Sequence, residues 1–414
     1  MKLDLSTCTK ITIEQTAKTI YIKIHLHINF IMNPLRTLVQ NIKEDPHNHV
    51  SSIDDFMKNH EFPLVKGDQA TFFFWDNSRV DEVFLRHFVY GLESRQSFTR
   101  IPNTDAFFLT IELPYAARLE YKFEIRRGEN SHWIRDPHNQ QKAYDPFGSN
   151  SVCTMPGYEQ PLWSKEDPRS RKGRLETFML PNQAYGDERE ITVYLPNEHR
   201  QRKTYPLLIC HDGHDYRKYA DIIPILDNLI HRHEVMPLIV AFTNGINRNP
   251  EYGANPQQAQ FLVEDLLPAL ESRYSITPGA QNRGLMGASF GGVSSLYTAW
   301  KYPGVFERLL LQSGSFAFTD IGTHGKGDLW DPVVEFVNQL RKDTSNIRGR
   351  VFMSCGIFES LIYYNRSLAP LLQRDGIQFQ YEESQDGHTW INWRDHLRKG
   401  LSWVYPGHLW MYYE

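Results

Sequence analysis

The chain has 414 residues, 41% of them apolar and 23% charged, with a net charge of −4. That balance suits a globular protein of two domains plus a tail. It excludes a charge field strong enough to draw nucleic acid or anionic membrane, and no run reaches the roughly 18 apolar residues of a membrane span.

Residues 1–60 read as a poorly defined N-terminal extension, polar and helical or irregular. Within it Ile20 to Met32 is apolar, but Lys23, His25 and His27 interrupt it and no small-residue cleavage site follows. This is unlike a signal peptide, and Met32 is an alternative start. The four cysteines, Cys8, Cys153, Cys210 and Cys355, are scattered. Cys210 and Cys355 each end an apolar run, where a buried free thiol is usual, and the set favours a cytoplasmic protein.

From residue 61 to 163 the pattern is β. Thr71 to Trp75, Glu82 to Phe88, Phe107 to Leu113 and Tyr121 to Ile125 read as short strands, the last with strict alternation. Turn residues separate them at intervals that suit a sandwich. Trp163 to Gly173 then reads as a charged, proline-containing linker.

Residues 174–410 have a different rhythm. Strand-like runs fall at Leu175–Leu180, Glu190–Leu195, Pro206–Cys210, Pro237–Phe242, Arg283–Met286, Arg308–Gln312, Arg350–Cys355 and Phe379–Glu383, eight in all. Helical patterns separate most of the later ones, among them Ala220–His231, Gln257–Tyr274 and Val333–Leu340. Strands alternating with helices predict an α/β domain with a mostly parallel sheet covered on both faces.

After the fifth run comes Gly287-Ala288-Ser289-Phe290-Gly291, a G-x-S-x-G pattern between a strand-like run and a helical one. That setting predicts a nucleophile elbow, with Ser289 in a strained turn at the carboxyl edge of the sheet. In the α/β-hydrolase order the acid follows strand seven and the histidine strand eight. Those slots hold Glu359 and His388. A serine hydroxyl needs a base, neutral imidazole suits that task, and a carboxylate fixes the imidazole tautomer. Asp386 is the rival acid, but two residues from His388 it cannot comfortably reach the far ring nitrogen. The expected oxyanion donors are the amides of Phe290 and, in the loop after the third run, His214, with Gly213 freeing the turn. His211, His214, His231 and His233 lack a fixed-geometry metal motif, so neither metal nor cofactor is expected.

Four segments resemble the esterase D and enterochelin (enterobactin) esterase group. They are Gly287 to Gly292 with Gln312-Ser313-Gly314-Ser315-Phe316, Cys355 to Ile362, Asp386-Gly387-His388-Thr389 with Trp393-Arg394, and Arg248-Asn249-Pro250-Glu251-Tyr252. The resemblance covers about residues 174–405. It implies hydrolysis of esters in a ferric catecholate siderophore, in the cytoplasm, with Arg248, Glu251 and Tyr252 on the substrate side. Such a substrate is large, aromatic and anionic, and Arg217 and Lys218 also lie on loops near the expected site. The β zone is similar to the immunoglobulin-like (early-set) module of glycogen-binding and debranching proteins, through Trp133 to Pro137 and Asp145 to Gly148. This leaves open a feruloyl or acetyl esterase acting on carbohydrate-linked esters, or a related acyltransferase.

Overall fold

The computed structural model describes residues 33–408 except 77, 198, 321 and 375. Ile20 to Met32 and Cys8 lie outside the described residues. The expectation of an ill-defined N-terminal extension needs correction from residue 33 onward. Asn33–Glu44 and His49–Lys58 are α-helices. Leu35, Leu38 and Ile42 line one helix face and pack with Ile53 and Phe56 against Phe73, Ile101 and Ala106 of the β region. The spacing i, i+3, i+7 is that of an amphipathic helix.

Two antiparallel sheets follow. One holds strands Leu64–Lys66, Gln69–Trp75, Ala106–Glu112 and Thr99–Arg100; the other is built around the long strand Arg118–Arg127. On one edge that strand pairs with Glu82–Arg86. On the other it pairs with Gly148–Thr154 near its start and Asn130–Ile134 near its end. Alternating residues of both sheets meet in a shared core: Phe72, Phe74, Leu109 and Ile111 against Leu119, Tyr121, Phe123 and Ile125. Phe358, from far along the chain, sits in the same core.

The linker segment, residues 163–173, is docked onto the following domain. Ser170 Oγ donates to Asn228 Oδ1 at 2.7 Å, and Asn228 Nδ2 donates to the carbonyls of Trp163 and Lys165. A buried asparagine on the helix Ile222–His231 thus satisfies loop carbonyls that would otherwise be desolvated without partners.

The remaining chain forms one sheet of eight strands. We label them in chain order: β1 (Arg174–Asn182), β2 (Asp187–Leu195), β3 (Leu207–Cys210), β4 (Ile239–Phe242), β5 (Arg283–Ala288), β6 (Arg308–Gln312), β7 (Gly349–Gly356) and β8 (Ile377–Ser384). Their spatial order is β1-β2-β4-β3-β5-β6-β7-β8. β1–β2 and β2–β4 pair antiparallel, and every other pair is parallel. This is an α/β-hydrolase-like fold with a mixed sheet, and each predicted run lies on a strand. Leu207 and Ile209 point into one helical layer, Leu208 and Cys210 into the other. Strands apolar on both faces read as continuous runs because helices cover both sides.

The predicted helix Gln257–Tyr274 is interrupted. A wider π-turn at Phe261–Leu266 separates α-helical Pro256–Gln260 from Leu267–Arg273. Pro268 supplies the reason: it has no N–H to donate, and its ring presses on the preceding turn.

Leu38 is almost wholly buried between the N-terminal helices and the first sheet. Leu38→Ala should cost about 2–5 kcal/mol locally, read as faster amide hydrogen exchange in Gln69–Trp75. Unchanged exchange there would show that the helices do not support the sheet.

Candidate active site

β5 ends at Ala288, and the helix Phe290–Lys301 starts two residues later. Between them Ser289 has φ 57° and ψ −121°. This is a strained conformation for a residue with a Cβ, and it holds the side chain out of both flanking elements. The close approach is visible at Gly287. A Cβ there would lie 2.5 Å from the Gly291 carbonyl carbon and 2.6 Å from its oxygen. At Gly291 an added Cβ would meet nothing closer than 3.3 Å, so the tight constraint falls on Gly287.

Ser289 Oγ is 3.1 Å from Ser315 Oγ, and either hydroxyl can donate. The Ser289 backbone is fixed from both sides. Its N–H donates to Gln312 O at the end of β6, and its carbonyl accepts from the amides of Gly292 and Ser315. The Phe290 N–H, in the first turn of the helix, has no acceptor among the described residues. An unpartnered amide beside a serine hydroxyl, at the positive end of a helix, can receive a developing oxyanion.

Glu359 follows β7 and is buried, whereas the His388 side chain, after β8, is 38% exposed. Glu359 Oε2 lies 2.6 Å from His388 Nδ1, so the ring nitrogen donates to a shielded carboxylate. The other carboxylate oxygen accepts from the Gly356 N–H at 2.8 Å, Ser313 Oγ at 2.6 Å and Asn392 Nδ2 at 3.4 Å. These donors compensate the desolvated charge and fix the carboxylate plane. Trp393 Nε1 donates to Ser313 Oγ at 2.9 Å, and its ring meets His388 edge-on at 4.9 Å between centroids. Asp386 turns away from the imidazole, toward Arg118 Nη1 at 3.3 Å and the Gly387 N–H at 2.6 Å. Among the described residues Ser289 Oγ bonds to Ser315 rather than to His388; such contacts commonly tighten only when substrate is bound.

The oxyanion expectation for the loop after β3 needs correction. The His214 N–H donates to Asn244 Oδ1 at 3.0 Å, and the Gly213 N–H donates to Thr243 O at 3.0 Å. Both belong to the first turn of the short helix Gly213–Tyr219, whose free amides find acceptors at the end of β4. His211 is buried, with Nε2 2.8 Å from Ser294 Oγ, and burial pushes its pKa down to about 3. It is a neutral core histidine beside the elbow.

The substrate-side expectation also changes. Tyr252 is fully buried, with its ring 4.9 Å from that of His211. Glu251 is buried too. It accepts from Arg189 at 2.8 Å and from the Asn247 N–H at 2.7 Å. Neither is open to a ligand; Glu251 braces the loop because a buried carboxylate needs internal partners, whereas the buried Tyr252 hydroxyl has no hydrogen-bond partner among the described residues. Arg248 is partly exposed and pairs with buried Asp212 through Nε at 2.7 Å and Nη2 at 2.6 Å. Its Nη2 also reaches Ala288 O at 3.4 Å, one residue from the serine. Arg217 leans on the Phe242 ring at 5.7 Å, and Lys218 lies 5.0 Å from that of Tyr219.

The sequence assigns no individual site role to four residues, Ser313, Ser315, Asn392 and Trp393, although three of them lie in the segments that carry the family resemblance. The first two immediately follow β6, so their place at the carboxyl edge was readable as a switch-point position. Asn392 and Trp393 lie on the helix that starts just after His388, one turn of which returns their side chains to the acid.

A family model described as "Putative esterase" matches residues 182–404. The chain belongs to this esterase family. Its class of activity is therefore carboxylic ester hydrolysis. The iron(III) enterobactin esterase of Escherichia coli O6:H1 is 24% identical over 333 residues, spanning 74% of this chain and 81% of that protein. Its counterpart in Dickeya dadantii is 22% identical over 349 residues, or 75% of this chain and 80% of its own length. In three dimensions the enterobactin esterase FES of Shigella flexneri superposes with a TM-score of 0.68 at 21% identity, covering 85% of this chain and 97% of that one. At that identity the likeness speaks for the fold, and it extends across the N-terminal region. No helix among the described residues of this esterase is long and apolar enough to cross a membrane.

Gly287→Ala forces a methyl group against backbone that cannot rotate away. It should destabilise the fold by about 1–3 kcal/mol and remove most esterase activity. Gly291→Ala, with more room, should fold and retain more. Equal behaviour of the two variants, in thermal melts and ester assays, would contradict the close-approach account.

Proposed function

We propose that the protein is a serine esterase that works through an acyl-enzyme. Ser289 is the nucleophile, His388 the base that takes its proton and later returns it to the leaving alkoxide, and Glu359 the acid that holds the imidazole tautomer. The observation that carries this reading is the 2.6 Å contact between buried Glu359 and half-open His388, at the same sheet edge as the strained serine. The tetrahedral oxyanion rests on the Phe290 amide at the helix N-terminus. In deacylation water replaces the alcohol, and His388 again takes the proton.

We read the substrate as a ferric catecholate siderophore ester, handled in the cytoplasm. The names of the relatives, iron(III) enterobactin esterases, support the substrate class, as does a group of aromatic and cationic side chains beside the elbow. The Phe290 ring lies 5.0 Å from that of Trp330, and Lys326 Nζ lies 4.7 Å from Trp330 and 5.1 Å from Tyr364. Aromatic faces and ammonium groups together suit a flat, anionic acyl group. Arg248, whose Nη2 reaches Ala288 O at 3.4 Å, adds positive charge next to the serine, although Asp212 neutralises part of it.

We read residues 61–163 as an immunoglobulin-like module and 174–410 as the catalytic domain. Two antiparallel sheets packed face to face support the first assignment. One observation favours a carbohydrate-linked ester as the second reading. Tyr144 and Phe147 of the module are exposed, Phe147 to 95%, and exposed rings can stack on sugars.

Ser289→Ala should lower kcat for a short p-nitrophenyl ester by several orders of magnitude while the fold is retained; persistence of turnover in a clean preparation would contradict the nucleophile assignment. Iron-loaded catecholate esters should be hydrolysed with higher kcat/KM than feruloyl or acetyl sugar esters. The reverse order, together with glucan binding by the chain, would favour the second reading.

A further inference from the structure

The N-terminal module reaches directly into the two loops that carry the proposed acid and base. Arg118, the first residue of the long strand, is 97% removed from solvent, its side chain being 3% exposed. Its N–H donates to Gln385 O at 2.9 Å. Its guanidinium donates through Nη1 to Asp386 Oδ2 and to Thr389 Oγ1, both at 3.3 Å, and through Nη2 to Glu120 Oε1 at 2.8 Å. Gln385, Asp386 and Thr389 bracket His388 on both sides.

The clamp continues to the acid. The Asp386 carbonyl accepts from the Phe358 N–H at 3.1 Å, one residue before Glu359. The Phe358 carbonyl accepts from the Tyr90 N–H of the module at 2.7 Å, and its ring is buried in the module's own core. Thr389 also caps the helix Trp390–Val404, accepting from the Asn392 N–H at 3.2 Å. Asn392 in turn donates to Glu359. Tyr158, just past the module's last strand, donates to Asp395 Oδ2 on the same helix at 2.9 Å.

We propose that Arg118 is a positioning residue of the active site, acting through Asp386 and Thr389 to hold the His388 loop in register with Glu359. This rests on the triad reading above. The module is then half of the frame that sets catalytic geometry, beyond any part in binding substrate. Both charges are buried: losing Arg118 alone strands Asp386, whereas losing Asp386 alone leaves Arg118 with Glu120. Burial pushes the Asp386 carboxyl up, to about 7, against the pull of Arg118. A loop held by a desolvated ion pair, by a second bond from the same nitrogen to Thr389 and by a backbone bond to Gln385 has little freedom, and a displacement near 1 Å at a base costs on the order of 100-fold in rate.

The test uses the full chain as wild type, Arg118→Lys, Arg118→Met and the double variant Arg118→Met/Asp386→Asn. The double variant removes both charges of the Arg118–Asp386 pair, and Glu120, whose side chain is 12% exposed, keeps its bond from Asn150 Nδ2 at 2.8 Å. Two readouts are needed: the kcat and KM for a p-nitrophenyl ester, and the rate at which a fluorophosphonate labels Ser289. Folding is checked by circular dichroism and melting temperature. We expect folded double variant with kcat lower by about 30- to 100-fold, KM within about threefold, and labelling slowed in parallel. Arg118→Lys, which keeps the charge but loses the fork, should recover part of both rates. A folded double variant with wild-type kcat and labelling overturns the proposal while leaving the triad intact. A fall in melting temperature with unchanged specific rates in the folded fraction also overturns it, because that is the behaviour of a purely structural contact. Wild type that is not labelled at Ser289 sinks the triad reading and this one with it.

Discussion

The carboxyl edge of the sheet is organised by how closely β5 and the following helix meet. Gly287 packs onto the backbone of Gly291 with no room for a methyl group. To turn within that space the chain must place Ser289 at positive φ, which costs about 1–3 kcal/mol if nothing else holds it. The surroundings do hold it. Gln312, Gly292 and Ser315 engage its peptide groups on both sides. The same geometry aims the hydroxyl outward and leaves the next amide free. Nucleophile and oxyanion donor are thus two consequences of one backbone constraint.

On the other side of the serine the controlling factor is desolvation. Glu359 is buried and surrounded by an amide, a hydroxyl and an asparagine, while His388 remains partly open to solvent. A carboxylate in that setting is held by fixed donors rather than water, while the imidazole stays partly accessible. Ser313 links the two halves, since it bonds to Glu359 while Ser315, two residues on, bonds to Ser289. The short segment after β6 is therefore the bridge between acid and nucleophile.

The eight strands were readable because parallel strands covered on both faces appear as apolar runs, and the candidate residues follow from which strand end each loop leaves. Other features depend on partners far away in sequence. Glu251 looked available on its loop, but Arg189 on β2 claims it. The His214 amide looked free until the helix was seen to start at Gly213, after Asp212 in the left-handed region. Arg118 sits 268 residues from Asp386, and nothing local in either segment signals the pair. The N-terminal helices are a different case: Leu35, Leu38 and Ile42 carry the period of the helical alternative, but the residues they pack on, Phe73, Ile101 and Ala106, lie far along the chain.

The central claim is that one serine, set in this strained turn, attacks the ester. The most direct measurement is peptide mass mapping after treatment of the full chain with a fluorophosphonate. The account predicts a single phosphonyl adduct on Ser289, formed in step with loss of esterase activity and absent from chain pre-treated to block that hydroxyl. Complete loss of activity with the adduct on another residue, or full activity with Ser289 stoichiometrically modified, would contradict it.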